Sequence, residues 1–90
     1  MGCEYSLDLE AVDRELADRA LRSIPGFEGY DSTYQLYAFR RAAVGGMPDV
    51  WAKLEERAVW ICWNAGAHAI VTEIRDALAE AGLEAELREL

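Results

Sequence analysis

Ala58-Val59-Trp60-Ile61-Cys62-Trp63 is an apolar run without a polar interruption, built from β-branched and aromatic residues. Such a run suits a strand in the middle of a sheet, where both faces are screened from water. Just upstream, residues 49–57 read two ways. Ala52-Lys53-Leu54-Glu55-Glu56-Arg57 are strong helix formers with Val50, Leu54 and Ala58 four apart, yet Val50, Ala52 and Leu54 also alternate as a strand would. The segment is either a short helix or an extra hairpin strand turning at Glu55-Glu56. Downstream, Asn64-Ala65-Gly66 opens a helix with the stripe Ile70, Ile74, Ala77, Leu78 and Ala81, stopped by Gly82. Leu83–Arg88 then alternates, and its charged side suits a protected edge strand.

Toward the N-terminus, Cys3, Tyr5, Leu7 and Leu9 alternate with Glu4, Ser6 and Asp8, the pattern of a strand with one buried face. Asp8 is placed to cap a helix whose stripe is Val12, Leu16, Ala20 and Ile24. The acid-first pairs Glu10–Arg14, Glu15–Arg19 and Asp18–Arg22 form its solvated side, and Pro25-Gly26 ends it. Phe27–Ser32 reads as a loop with two aromatic anchors, and Tyr34–Arg40 as a β-rich strand apolar on both faces.

The order strand, helix, strand, uncertain segment, strand, helix, strand resembles the ferredoxin-like βαββαβ arrangement. It implies an α+β two-layer sandwich in which an antiparallel sheet carries two helices on one face. The resemblance places the first and third strands at the centre, flanked by the fourth and second. Ninety residues make one domain, residues 1–90.

Composition narrows the function classes. The chain is 52% hydrophobic and 10% aromatic, which is globular, and no apolar run approaches the roughly 20 residues that cross a bilayer. The first residues lack the basic-then-apolar layout of a signal peptide, so a cytoplasmic location is expected. Net charge is −8, and no segment is basic. Direct binding to nucleic acid or an anionic membrane is therefore disfavoured, and a partner protein with a cationic surface is favoured.

The helix-free face of the sheet carries the functional reading. Glu4, Ser6 and Asp8 point to it. Strand three adds either Trp60 and Cys62 or Val59, Ile61 and Trp63, and strand two either Tyr37 and Phe39 or Tyr34 and Leu36. An aromatic half-sheet beside an acidic half is expected, with Tyr37, Phe39, Trp60, Trp63, Glu4 and Asp8 as interface candidates. The competing expectation is that residues 42–57 fold back over this face and seal it.

Chemical sites are weaker. Met1-Gly2-Cys3-Glu4-Tyr5-Ser6 fits a myristoylation pattern, but Cys3 belongs to a strand pattern and the flanking residues are acidic. Cys62, Asn64 and His68 could form a thiol–imidazole pair at a helix start, although a buried thiol, a cap and a surface histidine explain them without chemistry. The turn Asn64–Ala67 could hold an anion. A Cys3–Cys62 disulfide is conceivable across neighbouring strands, but reduced thiols are expected in the cytoplasm. No metal-ligand spacing is present, so no metal, cofactor or catalytic residue is expected. The expected function is a non-enzymatic protein-binding module, in the manner of immunity, antitoxin or nuclease-blocking inhibitors. The alternative is a homodimeric small-molecule-sensing regulatory domain, formed by pairing the same face.

Overall fold

The computed structural model describes residues 3–41, 48–63 and 68–90. Eight elements follow one another as β1 (Cys3–Asp8), α1 (Arg14–Arg22), β2 (Phe27–Asp31), β3 (Leu36–Phe39), β4 (Val50–Leu54), β5 (Ala58–Trp63), α2 (His68–Glu80) and β6 (Glu86–Glu89). The strands make one antiparallel sheet in the order β2-β3-β4-β5-β1-β6. This is an open α+β sheet of the two-layer kind. As expected, β1 and β5 are neighbours and β6 flanks β1. The order is nevertheless not ferredoxin-like, because β4 is inserted between β5 and β3, and β2 extends the sheet beyond β3.

Residues 49–57 thus resolve as the hairpin strand. Val50, Ala52 and Leu54 are buried at 0%, 0% and 6% exposure, and β4 is hydrogen-bonded on both sides. A helix here would run barely two turns, and its nucleation cost would not be recovered. Glu55 N–H donates to Ala58 O at 2.8 Å to close the turn. The turn is then used twice more, since Leu9 N–H donates to Arg57 O and Val12 N–H to Glu56 O.

Those two bonds explain a correction at the start of α1. Asp8 is not its cap. The chain runs on past Asp8 along the 55–57 turn, and Asp13 caps the helix by accepting from Glu15 N and Leu16 N at 3.1 Å each. With the first helical residue at Arg14, Glu10 lies outside the helix, whereas Glu15–Arg19 and Asp18–Arg22 pair as the spacing predicts. The buried line of α1 is Ala17, Ala20 and Leu21, continued past its end by Ile24. That of α2 is Ile70, Val71, Ile74 and Leu78, and Gly82, at φ +87°, ends it with Leu83 N–H returning to Leu78 O at 2.8 Å.

The second correction is β2, where a loop was expected. A register shift between Phe27 and Gly29 breaks the two-residue period, so Phe27 and Tyr30, three apart, both meet Tyr37 across the hairpin. Asp31 turns the chain by accepting from Thr33 N at 2.8 Å, and β3 accordingly begins at Leu36 rather than Tyr34.

A candidate docking face

Burial settles which side of each strand meets the helices. Leu7, Val59, Ile61, Val50, Ala52, Tyr37 and Phe39 join Leu21, Ile74 and Leu78 in one core. Their sequence neighbours, Ser6, Asp8, Trp60, Cys62, Trp51, Lys53, Leu36 and Ala38, therefore line the opposite face, which no described element covers with a second layer. Cross-strand register orders them in two rows. One runs Arg88, Ser6, Trp60, Lys53, and the other Glu4, Cys62, Trp51, Ala38, Gly29.

The six interface candidates divide accordingly. Trp60, Glu4 and Asp8 lie on the helix-free face. Tyr37 and Phe39 do not: at 4% and 0% exposure they are packed beneath the helices, and the β3 residues that face outward are Leu36 and Ala38. Trp63 also turns to the helix side, stacked on Tyr5 with ring centroids 5.7 Å apart and planes 6° from parallel, with His68 against both rings. Its indole Nε1 is buried and has no hydrogen-bond partner among the described residues. Trp51 and Lys53 complete the face but escape a reading that leaves 49–57 undecided. The alternation of Val50, Ala52 and Leu54 is the signal that places them.

The face is shallow and grooved. A depression of about 570 Å³ is lined by Glu28, Gly29, Leu36, Ala38, Arg40 and Trp51 among others. A second, of about 370 Å³, is bounded by Tyr34, Leu36, Lys53, Glu55 and Trp60, so Leu36 is common to both.

Charge is arranged around this apolar strip. Asp8 accepts from Arg88 Nε at 2.8 Å and from Ser6 Oγ, and these two donors, Arg88 first, hold its carboxyl below the usual range. Arg40 pairs with Glu28 at 2.8 Å. Glu4, Asp31, Glu55 and Glu86 form no ion pair among the described residues, and Lys53 is the cation of the face in the same condition. The strip is thus bordered by an excess of uncompensated carboxylate.

The remaining candidates are not assembled into sites. Cys62 lies on the helix-free face and His68 packs against Tyr5 and Trp63 on the other, so the sheet separates thiol from imidazole. Cys62 is in register with Glu4, while Cys3 is in register with Trp63. The turn Asn64–Ala67, part of segment 42–57 (residues 42–47) and the first two residues of the acylation pattern lie outside the described residues. The described part of 42–57 widens the sheet as β4 instead of folding over it. Among the described residues no His, Cys, Asp or Glu cluster is placed to hold a metal, and no helix is long and apolar enough to cross a membrane. No protein-family model, curated protein or solved structure gives a significant match to this chain.

Proposed function

We propose that this chain is a non-enzymatic protein-binding module that docks by the helix-free face of its sheet onto a cationic surface of a partner protein. The observation that carries this reading is the strip of Trp51, Trp60, Leu36 and Ala38 on a sheet face that no described element covers, bordered by the carboxylates of Glu4, Asp31, Glu55 and Glu86, which form no ion pair among the described residues. Apolar rings desolvated at the centre slow dissociation, while a carboxylate rim speeds encounter with a basic surface and sets register. Where that basic surface is the partner's own nucleic-acid or substrate site, occupancy is inhibition. No chemistry is assigned to the module itself.

The test compares capture from the source cell by the parent chain, by Trp51→Ala and Trp60→Ala, and by a helix-side control, Glu15→Ala. The proteins lost from both tryptophan variants and retained by the control are the expected partners, and they should be basic and released by added salt. An identical captured set for all four chains overturns the docking face. So does a dimer in sedimentation that Trp60→Ala abolishes, because the face would then be occupied by a second copy.

A further inference from the structure

Trp60 and Glu4 form a unit that is more specific than an apolar patch. Across the β5–β1 pairing, the Trp60 indole Nε1–H donates to Glu4 Oε1 at 3.0 Å. Trp60 stands in register with Ser6, and Ser6 is only 4% exposed although it lies on the face away from the helices. The bond ties the β5 indole to β1, and Ser6 is flanked in register by Trp60 on β5 and Arg88 on β6. Trp60 is half-buried and stacks on no other ring among the described residues. Glu4 stands at the rim of that ring with no ion pair among the described residues. Lys53 is in register with Trp60 on the β4 side.

We infer that the Trp60–Glu4 unit is the anchor of the docking face and takes an arginine side chain of the partner, an inference that rests on the docking reading above. A guanidinium is planar and weakly hydrated, so it can lie flat on the indole while its N–H fork reaches the Glu4 carboxylate. An ammonium gains the charge attraction without the stack or the fork. A partner carboxylate would be repelled by Glu4, and a second copy of this chain would bring its own acidic rim against this one. Leu36, Ala38 and Trp51 then receive the apolar residues that flank the arginine.

The experiment is an NMR titration of the ¹⁵N-labelled full chain, read at the indole N–H signals. The probe is an acetylated, amidated peptide of arginine alternating with glycine, compared with the same peptide carrying lysine or citrulline. The Trp60 indole signal should move saturably with the arginine peptide, and about tenfold less tightly with the neutral, nearly isosteric citrulline peptide. Lysine should fall between them. The Trp63 indole, buried on the other side, should stay in place. Glu4→Gln keeps an oxygen to accept from Trp60 Nε1, so the ring stays seated, and binding should weaken about five- to tenfold through charge alone.

Equal response to citrulline and arginine, or undiminished binding by Glu4→Gln, overturns the anchor. A Trp60 signal that moves with protein concentration in the absence of peptide overturns it too, in favour of self-association. Failure of the anchor and failure of the docking reading are separable. Partner capture that needs Trp51 but ignores Glu4→Gln keeps the face and removes the arginine slot, whereas capture indifferent to both tryptophans removes the face.

Discussion

Replacing Phe39 by Ala and, separately, Trp60 by Ala tests the assignment of sheet faces on which the functional reading stands. Both residues are apolar rings on interior strands, and sequence reasoning puts both at an interface. The structure separates them. Phe39 is 0% exposed and packs edge-on to Phe27 at 5.8 Å, whereas Trp60 lies half-buried on the uncovered face. Truncating a fully buried phenylalanine costs about 3–5 kcal/mol, the sum of lost transfer free energy and the cavity left behind. A chain of this length has roughly 5–13 kcal/mol of stability in all, so Phe39→Ala should forfeit about a quarter of it or more. With a urea dependence of about 1 kcal/mol per molar for a small domain, the unfolding midpoint should fall by roughly 3–5 M. Trp60→Ala removes a half-buried ring and should cost about 1 kcal/mol or less, moving the midpoint by about 1 M or less. Equilibrium urea unfolding followed by far-UV circular dichroism measures both. A Phe39→Ala chain as stable as its parent, or a Trp60→Ala chain as damaged as Phe39→Ala, would refute the face assignment and the docking proposal with it.

Two further outcomes concern what holds the helix layer on the sheet. Gly26 has φ +95°, and a Cβ there would stand 2.9 Å from Arg40 O, while Gly82, at φ +87°, has nothing within 4 Å of its Cβ position. Gly26→Ala should therefore cost about 1–3 kcal/mol and lower Tm by more than Gly82→Ala does in parallel thermal melts; equal losses would mean that the contact with Arg40 contributes nothing. The Tyr37 hydroxyl donates to Asp18 Oδ1 at 2.6 Å, and this bond first, with Arg22 in support, holds the Asp18 carboxyl below its ordinary 3.8. A carboxylate with a depressed native pKa stabilises the fold above its unfolded pKa and loses that contribution as pH falls through the native one. Tyr37→Phe should then cost about 1 kcal/mol at pH 7, a modest figure because Asp18 is partly solvated, and the gap between the two chains should shrink as pH falls below about 4. A gap independent of pH would show that the hydroxyl acts by packing alone.

Much of this molecule is legible in local pattern. The alternation of Cys3–Leu9 makes β1 one-faced, the uninterrupted run 58–63 makes β5 interior, the stripe through Ile70, Ile74 and Leu78 makes α2 amphipathic, and Gly82 stops it. Those features also suffice to put Glu4, Asp8 and a tryptophan on a common face. Each depends only on neighbours within a few positions, so strand and helix periods report it directly. The carboxylate excess is equally a property of composition.

What tertiary structure alone decides is how the ambiguous pieces spend their hydrogen bonds. Val50–Leu54 carries helix-forming residues and becomes a strand because β3 and β5 offer it two partners, and Phe27–Asp31 becomes β2 because a bulge lets Phe27 and Tyr30 share Tyr37. Inserting β4 displaces the ferredoxin-like order, and it brings Trp51 and Lys53 onto the docking face. Burial then removes Tyr37, Phe39 and Trp63 from that face, since a strand apolar on both sides carries no mark of which side its helices will cover. That choice is made by long-range pairing and by where α1 and α2 can pack, and neither is written in any window of adjacent residues.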